Sequence, residues 1–168
     1  PGKTVTRAEG GFAYGGRRFK LVDLPGTYSL LATSADEEVA RDFLLFGRPD
    51  VTLVVVDAAR LERNLNLVLQ VAEITERVVV CLNLMDEARR HGLQVDERRL
   101  ARDLGVPVVP TVARTREGFD LLLRTIHEVA DGLAVSRPRR LSNEPPELRQ
   151  AIGRLTGEIE AVFPGLPN

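Results

Sequence analysis

A doubly wound α/β sheet, mostly parallel, is the fold class this sequence predicts, and three observations predict it. Unbroken β-branched runs recur at 51–59 (VTLVVVDAA), 77–86 (RVVVCLNLMD) and 105–113 (GVPVVPTVA), as strands buried on both faces of a parallel sheet require. Stretches of helical periodicity lie between them: Leu61, Leu65, Val68 and Ala72 share one face, and Phe119, Leu122, Leu123, Ile126, Val129 and Leu133 share another. Strands alternating with helices at this spacing form right-handed βαβ units.

The elements follow in order. PGKTVTRAEGG opens the chain, and Gly2-Lys3-Thr4 spells the end of a phosphate-binding loop. A helix should then follow, yet Val5-Thr6-Arg7-Ala8-Glu9-Gly10-Gly11 offers β-branched residues and two glycines, which read as a loop entering a strand. GFAYGGRRFKLVDLPG predicts a β-hairpin with Gly15-Gly16 at its two-residue turn. SADEEVARD reads as the start of a helix capped by Ser34 or Asp36. A shorter helix over 96–104 starts at Asp96 and stops at Gly105. His91, beside Gly92, marks a helix end, and His127 falls on the polar side of the 119–133 helix, where solvent is expected. SRPRRLSNEPP then breaks the pattern as a polar linker. Beyond it Leu148, Ile152, Leu155, Ile159 and Val162 stripe one face of a final helix over 147–163, which should pack on the preceding domain or pair with a second chain.

Composition bounds the function. The 168 residues are 43% hydrophobic and 28% charged, a globular balance sized for one domain and a short appendage. A net charge of −1 gives no electrostatic reason to expect nucleic acid or an anionic membrane as partner. The single cysteine, Cys81, sits in an apolar run and reads as a buried thiol in a reducing compartment. No signal peptide appears, and no apolar run approaches the roughly 20 residues that span a bilayer. No His/Cys cluster has metal-ligand spacing.

In doubly wound sheets ligands bind beyond the carboxyl ends of the strands. The hairpin ends in Asp23-Leu24-Pro25-Gly26, where the carboxylate suits Mg²⁺ and the glycine amide a terminal phosphate; a plain strand-end turn accounts for the same four residues. The 77–86 run ends in Asn83-Leu84-Met85-Asp86. A carboxylate there can accept both N–H groups of a guanine N1/N2 edge, and Asn83 can brace the neighbouring loops; an Asn/Asp turn is the plainer alternative. The third strand ends in Thr111-Val112-Ala113-Arg114, whose amides could meet a guanine oxygen.

D-x-x-G, then N-x-x-D, then a small-residue loop, each after its own strand, is the layout of a Ras-like P-loop GTPase fold. More narrowly, the chain resembles the cytosolic G domain of the ferrous iron transporter B family. The resemblance is carried by PGKTVTRAEGGF, KLVDLPGTYSLLATSADEEVARDFLL, PDVTLVVVDAARLERNLNLVLQ, LNLMDEARRHGLQVD and LGVPVVPTVARTREG, and covers about residues 1–134. It implies a GTP-binding domain over 1–134, a linker over 135–146 and the beginning of a helical domain over 147–168.

The resemblance also implies roles. Pro1-Gly2-Lys3-Thr4 matches the switch I segment, usually Pro-Gly-Val-Thr, with Lys3 in the valine's place and Thr4 reaching Mg²⁺ and the terminal phosphate; Val5 and Thr6 are included on the nucleotide side. Asp23 matches the magnesium-linked aspartate, Gly26 the glycine of switch II, and Asn83 with Asp86 the guanine-specifying pair. Val112-Ala113-Arg114 matches a loop that usually begins with Ser. Thr27 stands where Ras-like enzymes carry a water-orienting Gln, so hydrolysis of GTP to GDP should be slow. A further departure is that no G-x-x-x-x-G-K-[ST] occurs, nor the strand and helix around it, where the family also places an Asn for K⁺. The expectation is therefore part of a longer polypeptide, or a chain that has lost its N-terminal segment, inactive as it stands, with an unpaired gap between the hairpin and the 51–59 strand. The implied setting is the cytoplasmic face of a bacterial inner membrane, with the protein's own transmembrane domain as partner and a homo-oligomer as an option. Two rivals remain: a soluble GTPase of ribosome assembly, and an interaction module that kept the fold without its nucleotide.

Overall fold

The computed structural model describes residues 8–31, 34–134, 136–139 and 145–162. Strands β1 (Ala8–Tyr14) and β2 (Arg17–Asp23) pair antiparallel with Tyr14 opposite Arg17. The turn is therefore Gly15-Gly16, and both residues have positive φ, as the expected two-residue turn requires. Phe12 and Phe19 face each other across the ladder and stack with centroids 4.9 Å apart.

A second sheet has the order β3-β4-β5, all parallel, from β3 (Thr52–Asp57), β4 (Val78–Asn83) and β5 (Val108–Pro110). The period-2 alternation of β4 divides the core. Val78, Val80 and Leu82 join Val54, Val56 and the α2 (Leu61–Ile74) residues Val68 and Val71. Val79 and Cys81 point the other way, to Val109 and to Leu122 and Val129 of α5 (Phe119–Ala130). The remaining helices are α1 (Ala35–Phe46), α3 (Met85–Arg90), α4 (Glu97–Leu104) and α6 (Pro146–Val162). Ser34 caps α1 by accepting the Glu37 N–H, Asp96 caps α4 through the Arg99 N–H, and Gly105 closes α4 in the left-handed region.

Several expectations need correction. The 77–86 strand stops at Asn83, because Leu84 takes a left-handed φ of 61° and Met85 starts α3; Asp86 thus lies in a helical first turn. The 105–113 strand shrinks to three residues, since Gly105 belongs to the helix cap and Val112 leaves the sheet to bridge Glu117. Among the described residues only β4 is buried on both faces; Val55 of β3 is 57% exposed. Among the described residues the hairpin and β3 share no ladder, and Leu21 of β2 is half exposed. Leu133 lies beyond α5 and is exposed, so the apolar face ends at Val129.

His127 is not solvent-facing. It seats beneath the hairpin tip, edge-on to Tyr14 and Phe19, and a Cβ added to Gly15 would fall 2.4 Å from its Cδ2. Its Nδ1 approaches Asp131 Oδ2 to 2.9 Å without hydrogen-bond alignment, and Arg17 pairs with the same carboxylate. On α6, Ile152, Leu155, Ile159 and Val162 are all exposed, so the stripe does not pack on the α/β body; the Leu148 side chain lies outside the described residues.

Candidate functional site

The ends of β4 and β5 are joined into one unit. Thr111 N–H donates to Leu82 O at 2.8 Å and Met85 N–H to Thr111 O at 3.3 Å. Asn83 Oδ1 accepts the Ala113 N–H at 3.0 Å and lies 3.4 Å from the Thr111 hydroxyl. Asn83 therefore braces the two loops, as its position at a strand end suggested. Behind it Thr111 Oγ1 and Cys81 Sγ lie 3.2 Å apart, and burial pushes the Cys81 thiol above its ordinary value, an effect the Thr111 contact opposes.

Asp86 hangs at the edge of this unit. Its Oδ2 accepts from Arg90 at 3.2 Å and, more loosely, from Arg114 at 3.5 Å. Its Oδ1 is buried and has no hydrogen-bond partner. A buried carboxylate oxygen without a donor is costly unless something supplies one, so this oxygen fits a ligand N–H. The Val112 N–H donates to Glu117 O and that of Ala113 to Asn83. Both amides are thus engaged within the loop.

The loop after β2 supplies the other wall. Gly26, Thr27 and Tyr28 share a cavity of about 350 Å³ with Asp57, Asn64 and Asn83. Asp23 is exposed at the hairpin's end, and Leu24 packs against the main core, setting the path of Pro25 and Gly26. Thr27 does not offer its hydroxyl to the cavity; Oγ1 donates to Ser29 O at 2.5 Å and accepts the Ser29 N–H. Gly2, Lys3, Thr4, Val5 and Thr6 lie outside the described residues. Among the described residues no three His, Cys, Asp or Glu side chains converge as a metal cluster, and no helix is long and apolar enough to cross a membrane. A larger opening of about 510 Å³, between Ala58–Arg63 and Leu93–Val95, contains none of the predicted residues.

Sequence reasoning missed Asp57, Asn64 and the side-chain part that Thr111 plays. Asp57 carried a readable signal, since it closes VTLVVVD as Asp23 closes its own strand; its side chain here caps a 3₁₀ turn through the Ala59 N–H. Thr111 carried none, because its role depends on a contact with Asn83 across the sheet.

Comparison with known proteins agrees with this geometry. The family model described as Ferrous iron transport protein B matches residues 1–126. A curated Fe(2+) transport protein A/Fe(2+) transporter FeoB fusion protein from Porphyromonas gingivalis is 41% identical over 160 residues, 94% of this chain and 19% of that protein. The chain thus spans about a fifth of the length of that curated relative. The FeoB G domain from Methanococcus jannaschii superposes with a TM-score of 0.73 at 43% identity, covering 77% of this chain and 83% of that one. The cytosolic domain of T. maritima FeoB, solved in GDP and GMPPNP forms, gives a TM-score of 0.83 at 35% identity, covering 99% of this chain and 64% of that one. From the joined strand ends and these likenesses together, the chain belongs to the ferrous iron transport protein B family and carries that family's G domain, a Ras-like α/β fold.

Proposed function

We propose that this chain is the guanine-nucleotide-binding and GTP-hydrolysing regulatory part of a membrane ferrous iron transporter, facing the cytoplasm. The observation that carries the base assignment is the buried, unpartnered Oδ1 of Asp86 on a loop that Asn83 fixes. Guanine presents two donors, N1–H and N2–H, where adenine presents an acceptor, so a carboxylate selects the first. The T. maritima relative's GDP and GMPPNP forms support the same ligand class.

Within this reading Asn83, Leu84, Met85 and Asp86 hold the base, and Val112, Ala113 and Arg114 close beside it. Asp23, Leu24, Pro25 and Gly26 serve the phosphates, with Asp23 and Thr4 toward Mg²⁺; one exposed carboxylate suits an ion that keeps water and phosphate oxygens as its other ligands. Bound there, the magnesium ion supplies neutralising charge for phosphoryl transfer. Thr27, its hydroxyl held by Ser29, is poorly placed to orient a water, and hydrolysis is slow. The protein's own transmembrane domain is the partner that the nucleotide state informs.

Nucleotide competition tests this, in a chain that also carries the G-x-x-x-x-G-K-[ST] segment. Asp86→Asn replaces one acceptor by a donor and should weaken GDP by about 10- to 150-fold, the scale of a buried polar mismatch, while improving xanthosine diphosphate. Unchanged GDP affinity in the variant would remove Asp86 from the site.

A further inference from the structure

The loop running from Asp23 to α1 is held by α2 at two points. Leu30 N–H donates to Gln70 Oε1 at 2.6 Å, and the Leu30 side chain is buried in the main core. Two helical turns earlier on the same face of α2, the Arg63 guanidinium carbon lies 3.9 Å from the centroid of the Tyr28 ring. Thr27 and Ser29, on either side of Tyr28, close a tight turn on each other. Gly26, Thr27 and Tyr28 are thereby kept at the wall of the cavity that also holds Asn83.

The two contacts differ in kind. The Gln70 bond is part-buried and reinforced by an apolar side chain that cannot leave the core cheaply. The Tyr28 contact is a cation–π stack at a ring 55% exposed, weak enough to open and re-form. A segment fixed at Leu30, lightly clasped two residues earlier at Tyr28 and packed on the core at Leu24 has a defined resting position and a clasp that can open.

We propose that α2 sets the resting position of this loop, with Gln70 as its fixed anchor and Arg63 as a releasable clasp, and that the clasp favours a nucleoside triphosphate over a diphosphate. The proposal rests on the guanine-nucleotide reading. The clasp keeps Gly26 where a terminal phosphate is met, so less ordering remains to be done when a triphosphate binds. A diphosphate makes no such contact and gains nothing. Arg63 and Gln70 are positioning residues, acting on the ligand through the loop.

Two measurements decide it. In amide hydrogen exchange on the unmodified chain, Gln70→Leu should speed exchange at Leu30 by roughly 5- to 10-fold, the scale of one lost hydrogen bond, whereas Gln70→Glu keeps an acceptor and keeps the protection. Arg63→Ala should speed exchange at Tyr28 and Ser29 but not at Leu30. With fluorescent GDP and fluorescent GMPPNP in magnesium buffer, Arg63→Ala should weaken GMPPNP by roughly 3-fold, the scale of one exposed cation–π contact, and leave GDP alone; Arg63→Lys should restore most of it. Equal loss for both nucleotides would reduce Arg63 to a general structural role and overturn the proposal, as would no loss at all. The nucleotide measurements use a chain that also carries the G-x-x-x-x-G-K-[ST] segment: if that chain binds GDP no better than ADP the guanine reading falls, and the exchange data decide the anchor and clasp separately.

Discussion

The side-chain oxygen of Asn83 accepts the main-chain N–H of Ala113 at 3.0 Å, joining the loop after β4 to the loop after β5. Thirty residues separate the two in sequence. Asn83→Leu keeps the bulk and removes the acceptor. It should cost about 1 kcal/mol, because the Ala113 amide is near enough to solvent to recover part of the loss. Exchange should rise at Ala113 and Arg114 and stay flat across β3; a uniform rise would mean that the brace is global rather than local.

Gly15 has no room to become another residue. Its φ is 57°, and an added Cβ would collide with the His127 ring, itself confined by Tyr14, Phe19 and Asp131. Gly15→Ala should lower stability by roughly 1–3 kcal/mol, combining left-handed strain with displacement of His127. The paired variant Gly15→Ala with His127→Ala should recover part of that loss. Additive effects in chemical denaturation would show that the two do not meet.

Cys81 should resist thiol reagents. Its pKa is raised, chiefly by burial, so the folded protein holds the thiol proton more tightly than the unfolded chain does. The stability this contributes is full below the ordinary value of 9.0 and is lost as pH rises through the shifted one. Labelling at pH 8 should therefore require unfolding, and stability should decline on the alkaline side more in the native chain than in Cys81→Ala. Rapid stoichiometric labelling of the folded protein would contradict the burial.

The α6 stripe gives a prediction of no effect. Leu155 is 57% and Ile159 43% exposed, so replacing both by Ser should change the stability of the α/β body by no more than about 0.5 kcal/mol. A larger fall in the unfolding midpoint would show that the stripe is covered in solution.

By itself the sequence determined the elements and the order of the motifs. The runs VTLVVVD and VVVCLN, the caps at Ser34, Asp96 and Gly105 and the Gly15-Gly16 turn are local, and their signals are local too: side-chain period, hydrogen bonds within a turn, a glycine where φ is positive. Family membership was legible for the same reason, since its motifs lie on contiguous stretches. Tertiary structure alone decided what those residues meet. That β5 is three residues long, that Arg114 reaches the Asp86 carboxylate, and that Gln70 anchors Leu30 all depend on partners distant in the chain. His127 shows the difference most plainly. Helical period put it on the polar side of α5, and only the arrival of the hairpin, which no spacing within α5 encodes, covered it.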